Sequence, residues 1–211
     1  MSQPASQPRL LPTRSPRDPA AVVLALHGGD VRPGDPAVNP WQPSVLRMVP
    51  VAARVARAGR GRLAVHRVLN AARGWGTDRT PVDDVRWALA RVRERYGDLP
   101  VGLVGHSLGG RAALMAGPEP AVAAVVALNP WLHPADDVDL TGRRALVVHG
   151  TEDRVALPER ARLVVDRLRR RADVEWRDVP GAGHAMLRHG PVFERAAAEF
   201  LVAALLPRGV R

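Results

Sequence analysis

The 211-residue chain contains no cysteine and no lysine. Without thiols it can form neither a disulfide nor a thiolate metal site. All 31 basic residues are therefore arginine, and against 21 acidic residues they leave a formal charge of +10. A surplus of that size is the usual electrostatic footprint of a nucleic-acid partner. Here, however, the arginines are scattered along helix faces, and only 4% of residues are aromatic. No basic stripe interleaved with stacking rings can be traced, so nucleic acid is not an expected partner. Long apolar runs are missing too: the longest, Ala121 to Leu128, is far too short to cross a bilayer, so no membrane partner is expected. Residues 1–20 hold five prolines and no apolar core behind a basic start. They read as a disordered leader, not a secretory signal, which makes a cytoplasmic location the expectation.

The remaining residues, 21–207, are expected to form a single domain, since the length suits one full core and 46% of the chain is hydrophobic. Apolar segments with strand character recur at Val22–Leu26, Leu63–Leu69, Val101–Val104, Val122–Leu128 and Ala145–His149. A last, alternating one at Val174–Val179 reads as nearer an edge. Between them lie stretches of helical period, at Val45–Ala58, Asp83–Tyr96, the run after Ser107, Pro158–Arg171 and Pro191–Leu206. Strand and helix in alternation predict an α/β fold with a mostly parallel sheet of about six strands and helices on both faces. In such sheets functional groups gather at the carboxyl ends of the strands, where His27, Ser107, Asp153 and His184 all fall.

The stretch that organises the others is Val104-Gly105-His106-Ser107-Leu108-Gly109-Gly110. Gly105, Ser107 and Gly109 fit the G-x-S-x-G nucleophile elbow, in which a strained turn lifts a serine Oγ clear of the backbone. The flanking residues must be small because strand and helix pass so close to each other. The N–H groups of the helix that follows then face any oxyanion formed at the serine. A serine hydroxyl also needs a histidine to take its proton and a carboxylate to orient that histidine. Asp153 stands 46 positions after Ser107, directly behind a buried strand, and His184 a further 31 positions on, between glycines. Glu152 is the neighbouring alternative acid.

These motifs, with His27-Gly28-Gly29 after the first strand and Arg73-Gly74-Trp75-Gly76 after the second, resemble a small, lidless serine hydrolase of the α/β-hydrolase superfamily. The nearest branch is that of esterases and dienelactone-hydrolase-like enzymes, though this chain has serine where dienelactone hydrolases carry a cysteine nucleophile. The chain also reads as starting at the family's third strand, without the antiparallel edge hairpin. The resemblance implies Ser107 as nucleophile, His184 as base and Asp153 as its orienting acid. It implies an oxyanion hole from the N–H groups of Leu108 and Gly29. Asp30 is expected to face away, since a carboxylate pointing into the site would oppose the developing negative charge. Trp75 and Trp131 each follow a strand end and either wall the acyl pocket or pack in the core. His106 packs beside the elbow as a further candidate contact, and His27 is expected to brace its loop. His66, His133, His149 and His189 show no metal-ligand spacing, so neither metal nor cofactor is expected. The expected reaction is hydrolysis of a small carboxylic ester or thioester. Acyl transfer or perhydrolysis with the same residues, or a non-catalytic ligand-binding role, are the alternatives. Residues Asn129 to Arg144 hold Asp136, Asp137 and Asp139 and few apolar residues, so a minimal cap or none is expected there.

Overall fold

In the computed structural model, residues 7–29, 38–76 and 80–206 are described. Seven strands form one sheet: β1 (Arg9–Arg14), β2 (Ala21–Leu26), β3 (Leu63–Leu69), β4 (Val101–His106), β5 (Val122–Leu128), β6 (Arg144–Gly150) and β7 (Asp173–Val179). Their spatial order is β1-β3-β2-β4-β5-β6-β7, and every pair is parallel except β1 with β3. The central strands are apolar at nearly every position because both of their faces are covered. Along β2, Val22, Leu24 and Leu26 enter one core, and Ala21, Val23 and Ala25 enter the other. Helices α3 (Pro81–Tyr96), α4 (Leu108–Met115) and α5 (Pro158–Leu168) cover the first face. Helices α2 (Met48–Ala58) and α6 (Gly190–Leu205) cover the second. No described helix is long and apolar enough to cross a membrane.

Two expectations need correcting. Residues 9–14 of the expected leader are ordered as β1, which lies antiparallel on β3 with pairs from Arg9↔Leu69 to Pro12↔His66. The sheet therefore has seven strands and keeps an antiparallel edge strand. The segment escapes a sequence reading because an edge strand needs only partial burial, and here Leu10 and Leu11 alone pack inward. Proline is tolerated at an edge, and Pro12 stands beside the irregularity where the register shifts before Arg14. The second correction concerns residues 45–58, where two helices meet in place of one. A short α1 (Pro43–Leu46) precedes α2, with Arg47 between them. Pro50 has no N–H to offer the Leu46 carbonyl, and its ring crowds that carbonyl. The helix must restart, which leaves Arg47 at the joint.

Between β5 and β6, residues 129–143 contain no helix. The carboxyl ends of β4, β5 and β6 thus open directly onto a cleft.

Candidate active site

The turn after β4 has the strain that its glycines anticipate. Ser107 sits at φ 56°, ψ −121°, outside the regions that L-residues favour. A Cβ on Gly105 would lie 2.0 Å from the Gly109 carbonyl oxygen. One on Gly109 would lie 2.5 Å from the carbonyl oxygens of Leu26 and His27. Only hydrogen fits at either position. The turn is also clamped from both sides: the Ser107 N–H donates to the Leu128 carbonyl (3.0 Å), and its own carbonyl accepts from Trp131 N–H and Arg111 N–H (3.1 Å each).

The structure brings Ser107, Asp153 and His184 together. His184 Nε2 lies 2.9 Å from Ser107 Oγ, and His184 Nδ1 lies 2.8 Å from Asp153 Oδ2. Asp153 is buried (3% exposed), whereas Glu152 points to solvent. The two oxygens of Asp153 have separate tasks. Oδ1 accepts the backbone N–H groups of Val155 (2.9 Å) and Ala156 (2.8 Å), which leaves Oδ2 for His184. Burial pushes this carboxyl's pKa up, but hydrogen bonds from His149, His184 and the Ala156 N–H outweigh it and hold the group well below the ordinary carboxylate range. The group is therefore an anion at neutral pH. With Asp153 accepting, the Nδ1 of His184 carries the proton and Nε2 is the lone pair that faces the serine hydroxyl.

Three further residues hold this arrangement, and the sequence reading gave none of them that part. Asn129, fully buried with φ 43°, joins three loops. Its Nδ2 donates to the carbonyls of Gly183 (3.2 Å) and His184 (3.1 Å), while its Oδ1 accepts the Gly150 N–H (2.8 Å). Asparagine is among the few non-glycine residues that adopt a left-handed conformation readily. The signal available in sequence was an Asn directly behind a buried strand. His106 lines the cleft but is only 1% exposed, and its Nε2–H donates to the His184 carbonyl (2.8 Å). Burial first, and then repulsion by His184, lower its pKa to about 3, so it stays a neutral donor. It stands one layer behind the surface that a substrate would meet. His149 has Nε2 2.8 Å from the Ala156 carbonyl and 3.4 Å from Asp153 Oδ2, with its ring stacked on Trp176.

The His27-Gly28-Gly29 loop runs along the opposite side of Ser107. A Cβ on Gly28 would lie 3.1 Å from the Ser107 Cβ, and one on Gly29 would lie 1.5 Å from the Arg73 carbonyl oxygen. His27 fixes the loop: its Nε2 accepts the Asn70 N–H (3.1 Å), so Nδ1–H donates to the Gly28 carbonyl (2.6 Å). Burial lowers its pKa and keeps the ring neutral. Leu108 opens α4, where an α-helix leaves its N–H groups without intrahelical acceptors. Asp30 lies outside the described residues.

These loops border a cleft of about 920 Å³. Its lining includes Gly29, Ser107, Leu108, His184, Trp75 and Trp131, and also Arg47, Arg73 and Arg111. Trp75 also packs on the core, so it is both wall and core residue. The Arg111 guanidinium lies over the Trp75 ring at 3.9 Å and is paired with the buried Asp136 at 2.7 Å. The acidic stretch expected to leave the site uncapped thus also anchors a cleft arginine. Among the described residues no group of three or more His, Cys, Asp and Glu could hold a metal ion.

Residues 66–146 match the family model of the alpha/beta hydrolase fold. No curated protein sequence matches the chain. Among solved structures, an alpha-beta serine hydrolase homologue from Coxiella burnetii is 18% identical, with a TM-score of 0.69 and 94% of each chain covered. A lidless serine hydrolase from Xanthomonas campestris is 16% identical, with a TM-score of 0.66 over 96% of this chain and 97% of that one. Est1E from Butyrivibrio proteoclasticus is 15% identical, with a TM-score of 0.67 over 93% and 92% of the two chains.

Proposed function

We propose that this chain, which has the α/β-hydrolase fold, is a serine hydrolase that cleaves a carboxylic ester or thioester of modest size through an acyl-enzyme. The observation that carries this reading is the unbroken line of hydrogen bonds from Ser107 Oγ through His184 to Asp153. Ser107 Oγ attacks the acyl carbon while its proton passes to His184 Nε2. Asp153, already ionised, stabilises the imidazolium that forms and keeps the ring in the tautomer that can accept. The carbonyl oxygen, now negative, is met by the N–H groups of Leu108 and Gly29, fixed before the substrate arrives. His184 then returns the proton to the departing alkoxide or thiolate. A water molecule, deprotonated by the same nitrogen, releases the acid and restores Ser107. Apart from that water, these steps use side chains and backbone of this chain, acting on a small-molecule substrate.

The strain at Ser107 and the saturated surroundings of Asp153 support the same reading, because both hold the groups in reactive positions at a cost in local stability. The test is the covalent intermediate. Mixing the protein with p-nitrophenyl butyrate and quenching at early times should give an intact mass raised by one butyryl group, localised to Ser107. The Ser107→Ala variant should show neither the adduct nor turnover. Hydrolysis at the unaltered rate in that variant would overturn the proposal.

A further inference from the structure

Among the described residues, the cleft has an imbalance of charge that ester hydrolysis as such does not require. Arg47, Arg73 and Arg111 line it, and no aspartate or glutamate is among its described lining residues. Arg111 is neutralised by Asp136 at 2.7 Å and held over Trp75. Arg73 is tied to the Gln42 side-chain oxygen, with Nε and Nη2 at 2.9 Å in the amide orientation that its neighbours require. Arg47 is different. It is half-buried at the joint between α1 and α2, and its Nε, like that of Arg111, is shielded from solvent with no hydrogen-bond partner. Among the described residues no carboxylate pairs with it. It lies near enough to His106 to contribute to the repulsion that keeps that ring neutral. It also borders a smaller, mostly apolar groove of about 320 Å³ beside the main cleft, lined in part by Leu46, Val51, Met186 and Leu187.

A partly desolvated guanidinium with no carboxylate beside it is costly unless something completes it. A carboxylate does so best, because two oxygens match the guanidinium fork and bring the compensating charge. We infer that the substrate's acyl part carries a second, free carboxylate, so that the preferred esters are hemi-esters of short dicarboxylic acids, oriented by Arg47. This rests on the serine hydrolase reading and narrows its substrate class. The carboxylate would sit at Arg47 while the ester carbonyl lies at Ser107, with the aliphatic spacer between them against the apolar lining of the cleft. Arg54, on the next turns of α2 and paired with Glu194 at 3.9 Å, is outside that lining and serves as a control for net charge.

The experiment compares ethyl hydrogen glutarate with ethyl pentanoate, esters of equal acyl length that differ in the terminal carboxylate, by pH-stat titration at low ionic strength. The wild-type protein should favour the hemi-ester in kcat/KM by about tenfold or more, as expected for a charge-assisted hydrogen bond. Arg47→Gln should reduce that ratio at least tenfold, Arg47→Lys should restore part of it, and Arg54→Gln should leave it in place. The neutral ester is the internal reference, so a variant that fails to fold is recognised by losing both rates. Cleavage of ethyl pentanoate with no preference for the hemi-ester would overturn the inference and leave the hydrolase reading standing. A preference that survives in Arg47→Gln would overturn it as well. Cleavage of neither ester by the wild-type protein would count against the hydrolase reading itself.

Discussion

On one side of the cleft, the loops after β5, β6 and β7 are tied to one another by side-chain hydrogen bonds. Asn129 bonds to Gly150, Gly183 and His184, His106 bonds to the His184 carbonyl, and both oxygens of Asp153 are engaged. The opposite side, from α1 and the loops after β2 and β3, is assembled from Gln42, Ser44, Arg47, Arg73 and Trp75, and among the described residues it leaves Arg47 without a carboxylate partner. The difference separates two demands on a site. A reaction that is common to many substrates needs groups held to within fractions of an ångström, and hydrogen bonds between the loops supply that. Selection among substrates needs groups left incomplete until the ligand arrives.

If the bonded side sets the chemistry, breaking it should cost the most. Asp153→Asn should lower kcat by about 10³–10⁴-fold, because the amide favours the wrong tautomer of His184. Glu152→Gln should stay within a few-fold. The pair of steady-state assays decides between the two acids, and the opposite ranking would reassign the carboxylate. Asn129→Ala comes next, with an expected loss of about 10–100-fold in kcat. Removing the buried amide also leaves the Gly150 N–H without an acceptor, so denaturant unfolding should show a cost of about 1–3 kcal/mol. A full rate with reduced stability would mean that Asn129 holds the fold together without setting the position of His184.

His106 sharpens the comparison through pH. Its folded pKa of about 3 lies below the unfolded value of 6.5. Protons therefore bind the unfolded chain more readily, and its contribution is full above pH 6.5 and is lost as pH falls toward 3. Stability should drop by about 1.4 kcal/mol per pH unit from this group across that window. Asp153, depressed as a carboxylate, acts with the same sign at lower pH. The difference in slope between wild type and His106→Asn, measured by urea titrations from pH 7 to pH 4, isolates the histidine. Equal slopes would mean that His106 is not held neutral. The smallest effect is expected from acyl length. With no helix between β5 and β6, rates on p-nitrophenyl esters should vary by less than about tenfold from C4 to C12, without a jump at the micellar threshold. A tenfold preference for C12 would reveal a cover that forms over the cleft.

The same contrast explains what could be read in the sequence. The elbow glycines were legible because sterics restrict them, and the meeting of Ser107, Asp153 and His184 was legible because all three stand at strand ends. The parallel strands were legible as unbroken apolar runs. Residues 9–14 were not, since an edge strand with Pro12 and only two inward leucines has the composition of a loop. The arginines of the cleft were legible only in part. Arg73 stands in the Arg73-Gly74-Trp75-Gly76 motif, but Arg47 and Arg111 look like any other of the 31 in the chain. Only the fold brings them to one surface. His149 was read without a role because its partner Asp153 meets it through the turn that follows β6, a geometry that spacing alone does not specify.

The proposal stands or falls on whether Ser107 is a nucleophile activated by His184. Labelling with a fluorophosphonate, followed by peptide mass mapping, tests it most directly, because the probe reacts with activated serines and ignores ordinary hydroxyls. One adduct per chain is expected, on Ser107, lost in Ser107→Ala and strongly slowed in Asp153→Asn. Labelling that persists undiminished in Ser107→Ala, or an adduct mapped to another residue, would contradict it.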